Sequence, residues 1–161
     1  MKLIEATKSR LVFKLGQREE RLLLRILSLY PRMPPAHQQL SKAGRLPEPE
    51  ANQRLLDEAL AEHRAQNKKQ LQALLIDRRR FAHTETGVQL SLSPAQVDWV
   101  LQVLNDVRVG SWVQLGSPEE MAIDLNETTA PHFQAMEMAG YFQAQFLEAL
   151  SGGTLGVKRE T

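Results

Sequence analysis

The chain has 161 residues, of which 42% are hydrophobic and 24% charged, an ordinary globular composition with room for one good hydrophobic core. It has no cysteine, which excludes disulfides, thiolate zinc sites, iron–sulfur clusters and thiol redox chemistry. The net charge of +1 hides an asymmetry: residues 1–47 carry ten Lys and Arg against three Glu, whereas residues 88–161 carry nine acids against three bases.

Leu3–Ala6 and Leu11–Leu15 read as short strands around the polar turn Thr7–Arg10. Leu11, Phe13 and Leu15 alternate with Val12 and Lys14, the period of a strand with one buried face. From Gln17 to Tyr30 the period becomes helical: Leu22, Leu23, Ile26, Leu27 and Leu29 form a stripe opposite Arg18, Arg21 and Arg25, and Pro31 ends it. Five of the eight prolines fall in residues 31–49, predicting a rigid surface connection. Glu50 to about Phe81 then reads as one long charged helix. Its seam of Leu56, Leu60, Leu71 and Leu74 is interrupted by His63 and Asn67, so loose packing with a wet edge is expected.

His83–Gly87 reads as a turn, and Val88, Leu90 and Leu92 alternate as a third strand. Ser93-Pro94 with Gln96 predicts a capped helix start. That helix runs to about Leu115, with Val97, Val100, Leu101, Leu104, Val107 and Val113 as core and Gly116 as stop. Ser117-Pro118-Glu119-Glu120 suggests a further short helix. A last helix spans about Ala130–Leu150, ended by Gly152 and Gly153, with residues 152–161 a mobile tail to a domain of residues 1–151. A shift of 77 residues superposes Leu11-x-Phe13-x-Leu15 on Val88-x-Leu90-x-Leu92 and Leu23, Leu24, Ile26, Leu27 on Val100, Leu101, Val103, Leu104. This suggests an internal strand–helix duplication. The predicted class is α+β and mainly helical, with a small three-stranded sheet near residues 3–6, 11–15 and 88–92, its helices packed on one face.

No nucleophile elbow, phosphate loop, dinucleotide fingerprint or H-E-x-x-H occurs. His37, His63, His83 and His132 are scattered without metal-ligand spacing, so no metal, cofactor or catalytic residue is assigned. The polar group most worth testing is Asn105, Asp106 and Arg108, set in an apolar helix. It reads either as a binding site for a polar ligand or as a structural hydrogen-bond network. Arg78, Arg79 and Arg80 are candidate phosphate contacts, or bases favoured by the macrodipole in a last helical turn. Trp99 borders the core or anchors a partner. Phe133, Met136, Met138, Phe142, Phe146, Leu147 and Leu150 give the last helix a wide apolar band, either buried on two sides or forming a homodimer contact, with Gly140 allowing another helix close approach.

The run Val97-Asp98-Trp99-Val100-Leu101-Gln102-Val103-Leu104-Asn105-Asp106-Val107-Arg108, continuing to Leu115-Gly116, resembles the bacterial domain-of-unknown-function family numbered two thousand and seventeen. Its members carry a Trp-Leu-x-x-Leu-Asn-Asp-Leu-Arg-like segment after an opening strand pair and helix. This chain has Val100 and Val107 where that pattern favours Leu. The resemblance implies a setting beside the Clp protease adaptor and marks Trp99, Asn105, Asp106 and Arg108 as positions to test.

With no run of about 18 apolar residues and no signal-like start, the expectation is a cytoplasmic protein without a membrane span. The leading functional expectation is a non-enzymatic regulatory or adaptor-like module that binds a protein partner. The alternatives are a nucleic-acid-binding regulator using the basic first third, and a ligand-binding protein or enzyme centred on Asn105, Asp106 and Arg108.

Overall fold

The computed structural model describes residues 1–34, 49–119 and 122–156. Strands β1 (Lys2–Ala6) and β2 (Leu11–Leu15) form a hairpin leading into helix α1 (Gln17–Leu27). Helix α2 (Pro49–Ile76) leads to a second hairpin, β3 (Phe81–Thr84) and β4 (Gly87–Leu92), and then to α3 (Pro94–Gln114); α4 (Ala130–Gly156) follows. The class is α+β and the sheet is antiparallel in the order β1-β2-β4-β3. It has four strands rather than the expected three. The missed strand is β3, a four-residue edge strand with only Phe81 buried, too short and too polar to show an alternation. The turn expected at His83–Gly87 is correspondingly tighter, because His83 and Thr84 pair with Val88 and Gly87.

The middle of the sheet is the β2–β4 pair, which sets Leu11 opposite Leu92, Phe13 opposite Leu90 and Leu15 opposite Val88. All six side chains are buried. Phe13 meets Phe146 of α4 edge to face at 5.0 Å, a geometry that favours the aromatic quadrupoles. Leu23 and Leu27 of α1 and Val97, Val100, Leu104 and Val107 of α3 complete the core. Both strand-to-helix hinges have nearly the same backbone: Gly16 at φ −74°, ψ 157° and Ser93 at φ −74°, ψ 160°. At Gly16 the N–H donates to Glu19 Oε2 at 2.8 Å. At Ser93 the predicted capping box forms in full, with the Gln96 N–H donating to Ser93 Oγ and the Ser93 N–H to Gln96 Oε1.

Several expected boundaries move. Helix α2 stops at Ile76, short of Phe81, because Asp77 builds a turn: its carbonyl accepts from the Arg80 N–H and its Oδ1 from the Arg79 N–H. Arg78, Arg79 and Arg80 therefore follow the helix instead of forming its last turn. Ser117 does not cap a new helix, since its φ is +53° and an N-cap needs extended backbone. It closes α3 instead: Ser117 N–H donates to Trp112 O and Gly116 N–H to Val113 O, the double bond pattern of a Schellman ending. Helix α4 runs through Gly152 and Gly153 to Gly156, since glycine weakens a helix without sterically barring it. The proline-rich connection beyond Pro34 and the tail beyond residue 156 lie outside the described residues.

Candidate functional site

Three places hold the residues that the sequence singles out. The first is a strap, Arg32–Met33, which follows the cis Tyr30–Pro31 peptide and crosses α3. Asp106 Oδ1 accepts the Arg32 N–H at 2.6 Å and the Met33 N–H at 3.2 Å. The Met33 carbonyl accepts from Arg64 Nη2 of α2 at 2.9 Å. Under the strap lies Gly110, where an added Cβ would stand 2.5 Å from Arg32 C and 2.6 Å from Met33 N. One oxygen of Asp106 is thus occupied with the backbone of its own chain, and the residue also lines a cavity of about 170 Å³ with His63, Arg64 and Asn67.

The second place is a buried polar hub. Asn67 Nδ2 donates to the Tyr30 hydroxyl at 3.1 Å and contacts His63 Nδ1 at 3.4 Å, while its Oδ1 accepts the Trp99 indole N–H at 3.2 Å. Asn67 is buried, and only His63 is exposed. The expected wet edge on α2 therefore holds at His63 and not at Asn67. A buried amide holds there because both its oxygen and its nitrogen have partners. Trp99 is half-buried and its polar atom is committed to this hub. Asn105 is exposed, and Arg108 lies along α4, its Cδ 3.5 Å from where a Cβ at Gly140 would sit. Trp99, Asp106 and Arg108 therefore serve three separate contacts and do not converge.

Helix α4 lies between two grooves, the third place. Its core side (Ala135, Ala139, Phe142, Phe146) is fully buried, whereas Leu147 is 53% exposed and Phe133 and Met138 are half-buried, so the wide apolar band is buried on one side rather than on two. The close approach at Gly140 is made by Arg108 of the same chain. The α3/α4 groove, of about 670 Å³, is lined by Arg108, Trp112, Met136 and Tyr141. The α1/α4 groove, of about 690 Å³, has an apolar floor of Leu22 and Ile26 from α1, Leu29 just beyond its end, and Phe133 and Met138 from α4. Arg18, Arg25 and Arg32 also line it, with Glu19, Glu137 and Tyr141.

Two polar contacts close the ends of the α1/α4 groove. At one, Glu19 Oε1 accepts from the Met1 ammonium at 2.7 Å and from the Tyr141 hydroxyl at 3.0 Å. Partial burial pushes the Glu19 carboxyl up, but the bonds from Met1, Gly16 and Tyr141 outweigh it and hold the group below its ordinary value. At the other end, Arg32 Nη2 meets His132 Nδ1 at 2.5 Å. Burial and the Arg32 charge both lower the His132 pKa, leaving a neutral ring that can accept from the guanidinium. Arg32 Nε is buried without a partner among the described residues. Because Glu19 faces Tyr141 while Arg32 faces His132, the two walls run antiparallel.

Both shifts make the fold acid-sensitive. Each lowered pKa means that the unfolded chain binds the proton more readily, so stability is complete above the unfolded value and falls as pH drops through it. Stability should decline as pH falls below about 6.5 through His132 and again below about 4.5 through Glu19. A urea titration series across pH would show both steps, and His132→Gln should remove only the upper one.

Arg80 Nη1 donates to Gln96 Oε1 at 2.9 Å and Arg80 pairs with Asp77, whereas Arg78 and Arg79 are exposed, Arg79 reaching Asp77 only at 3.9 Å. Among the described residues no ion pair joins residues 1–47 to residues 88–161, so the charge asymmetry is not neutralised by such pairs. Also among these residues, no group of three His, Asp or Glu is placed to hold a metal, and no helix is long and apolar enough to cross a membrane. No protein-family model, no curated protein and no solved structure matches the chain.

Proposed function

We propose that this chain is a non-enzymatic regulatory or adaptor-like module that binds a protein through the α1/α4 groove. One observation carries the reading: an apolar trough open between two helices, with arginines along it. Exposed apolar surface rimmed by polar groups marks interaction sites, and a groove between helices suits a helical segment. The Asn105, Asp106 and Arg108 alternative is weaker, because one oxygen of Asp106 holds the strap, Arg108 lies along another helix and Asn105 is exposed apart from both. Nucleic-acid binding through Arg78 and Arg79 with the basic first third keeps its exposed guanidiniums, without aromatic platforms beside them.

The matching hinges and the symmetric order β1-β2-β4-β3 support reading the chain as two β-hairpin–helix units. A shift of 77 residues maps the Leu11–Leu92 pair onto Val88–Leu15, which is also a register pair. The likeness of residues 97–116 to the family named above is part of the same proposal, and so is its setting beside a protease adaptor.

The test is a tagged pull-down from host lysate with and without nuclease, comparing the native chain with Leu22→Glu. We expect proteins that survive nuclease and are lost from the variant. Partners released by nuclease, or retained equally by Leu22→Glu, would refute the groove reading.

A further inference from the structure

We propose that the occupant of the α1/α4 groove is an amphipathic helix of a different protein, with acidic residues spaced seven apart; this rests on the groove reading above. Charge supplies the first argument. Arg18 and Arg25 are exposed and unpaired among the described residues. Of the two acids lining the groove, Glu19 is already bound by the Met1 ammonium and the Tyr141 hydroxyl. Only Glu137 opposes the arginines. Charge complementarity of this kind selects partners and sets register.

Geometry supplies the second argument. The α4 wall extends from Pro131 to Tyr141, about 15 Å at the helical rise, or roughly three turns. Arg18 and Arg25 stand two turns apart on the facing helix, about 10.5 Å along its axis. A helix laid in the trough therefore meets both guanidiniums with carboxylates at i and i+7. Its apolar residues between them cover Leu22 and Met138, both half-buried. A second copy of this chain fits less well, because an isologous contact sets the same arginines against each other.

The test uses the full chain and two labelled three-turn helical peptides in fluorescence anisotropy. One carries Glu at i and i+7 beside a leucine stripe, the other Lys at the same positions. We expect binding of the acidic peptide only. Arg18→Glu with Arg25→Glu should weaken it about tenfold, the middle of the range for losing two rim charge pairs, and should admit the Lys peptide. Both positions are exposed, so the fold should persist, which circular dichroism checks.

Equal affinity for both peptides, or no response to the double variant, would overturn the proposal. So would binding to phosphatidylglycerol vesicles in place of peptide, or self-association that the peptide does not disturb. If partners in the pull-down are lost with Leu22→Glu but retained by the double arginine variant, the groove reading stands and the acidic helix is wrong.

Discussion

Asp106→Ala is expected to destabilise the chain by about 2–3 kcal/mol, the scale for losing bonds from a charged acceptor and leaving partly buried N–H groups unmet. The carboxylate holds two consecutive backbone donors, Arg32 and Met33, onto α3. Asp106→Asn keeps a carbonyl oxygen and should cost about half as much. Urea unfolding checks this: the midpoint should fall with little change in slope. An Asp106→Ala variant as stable as the native chain would mean that the strap is held by something else, and would restore interest in Asp106 as a binding group.

The second large effect is expected at Gly110. A side chain there meets the strap's backbone at 2.5–2.7 Å, and backbone cannot step aside as a flexible side chain can. Gly110→Val should cost about 3 kcal/mol, the upper range for overpacking. Gly110→Ala should also destabilise, although alanine gains about 1 kcal/mol in helix propensity. Gly140→Ala is the control: its Cβ would lie 3.5 Å from Arg108 Cδ, an ordinary contact, so it should be neutral or stabilising. Equal melting shifts for Gly110→Ala and Gly140→Ala would contradict the close-approach account.

These residues show what the sequence makes legible. Strand β2, most of the core face of α3 and the box at Ser93 are readable because a period or a cap is written in consecutive residues; on α3 Val103 is buried, whereas Leu101 and Val113 are only half-buried. Strand β3 is not, because a short edge strand with one buried residue borrows its conformation from β4. The importance of Asp106 is visible as a short acid in an apolar helix, but its partner is a backbone segment 73 and 74 residues away, which no local pattern encodes. Asn67 breaks an apolar seam, which looks like loose packing; Tyr30, just past the end of α1, and Trp99 of α3 turn it into a satisfied hub. Gly110 was a missed signal, the one glycine inside α3. The α1/α4 groove was half legible. The stripe of α1 and the band of α4 are both in the sequence, yet the gap between them depends on how the two helices cross. Arg32 and His132 meet only because α4 returns antiparallel to α1.

The most direct test places a photoreactive amino acid at Met138, in the groove floor, and another at the exposed Arg79, then irradiates each in native-host lysate. We expect a discrete protein adduct from position 138, unchanged by nuclease and absent when Leu22→Glu is combined with it, and none from position 79. Adducts confined to position 79 and removed by nuclease, or no adduct from position 138, would contradict the groove reading.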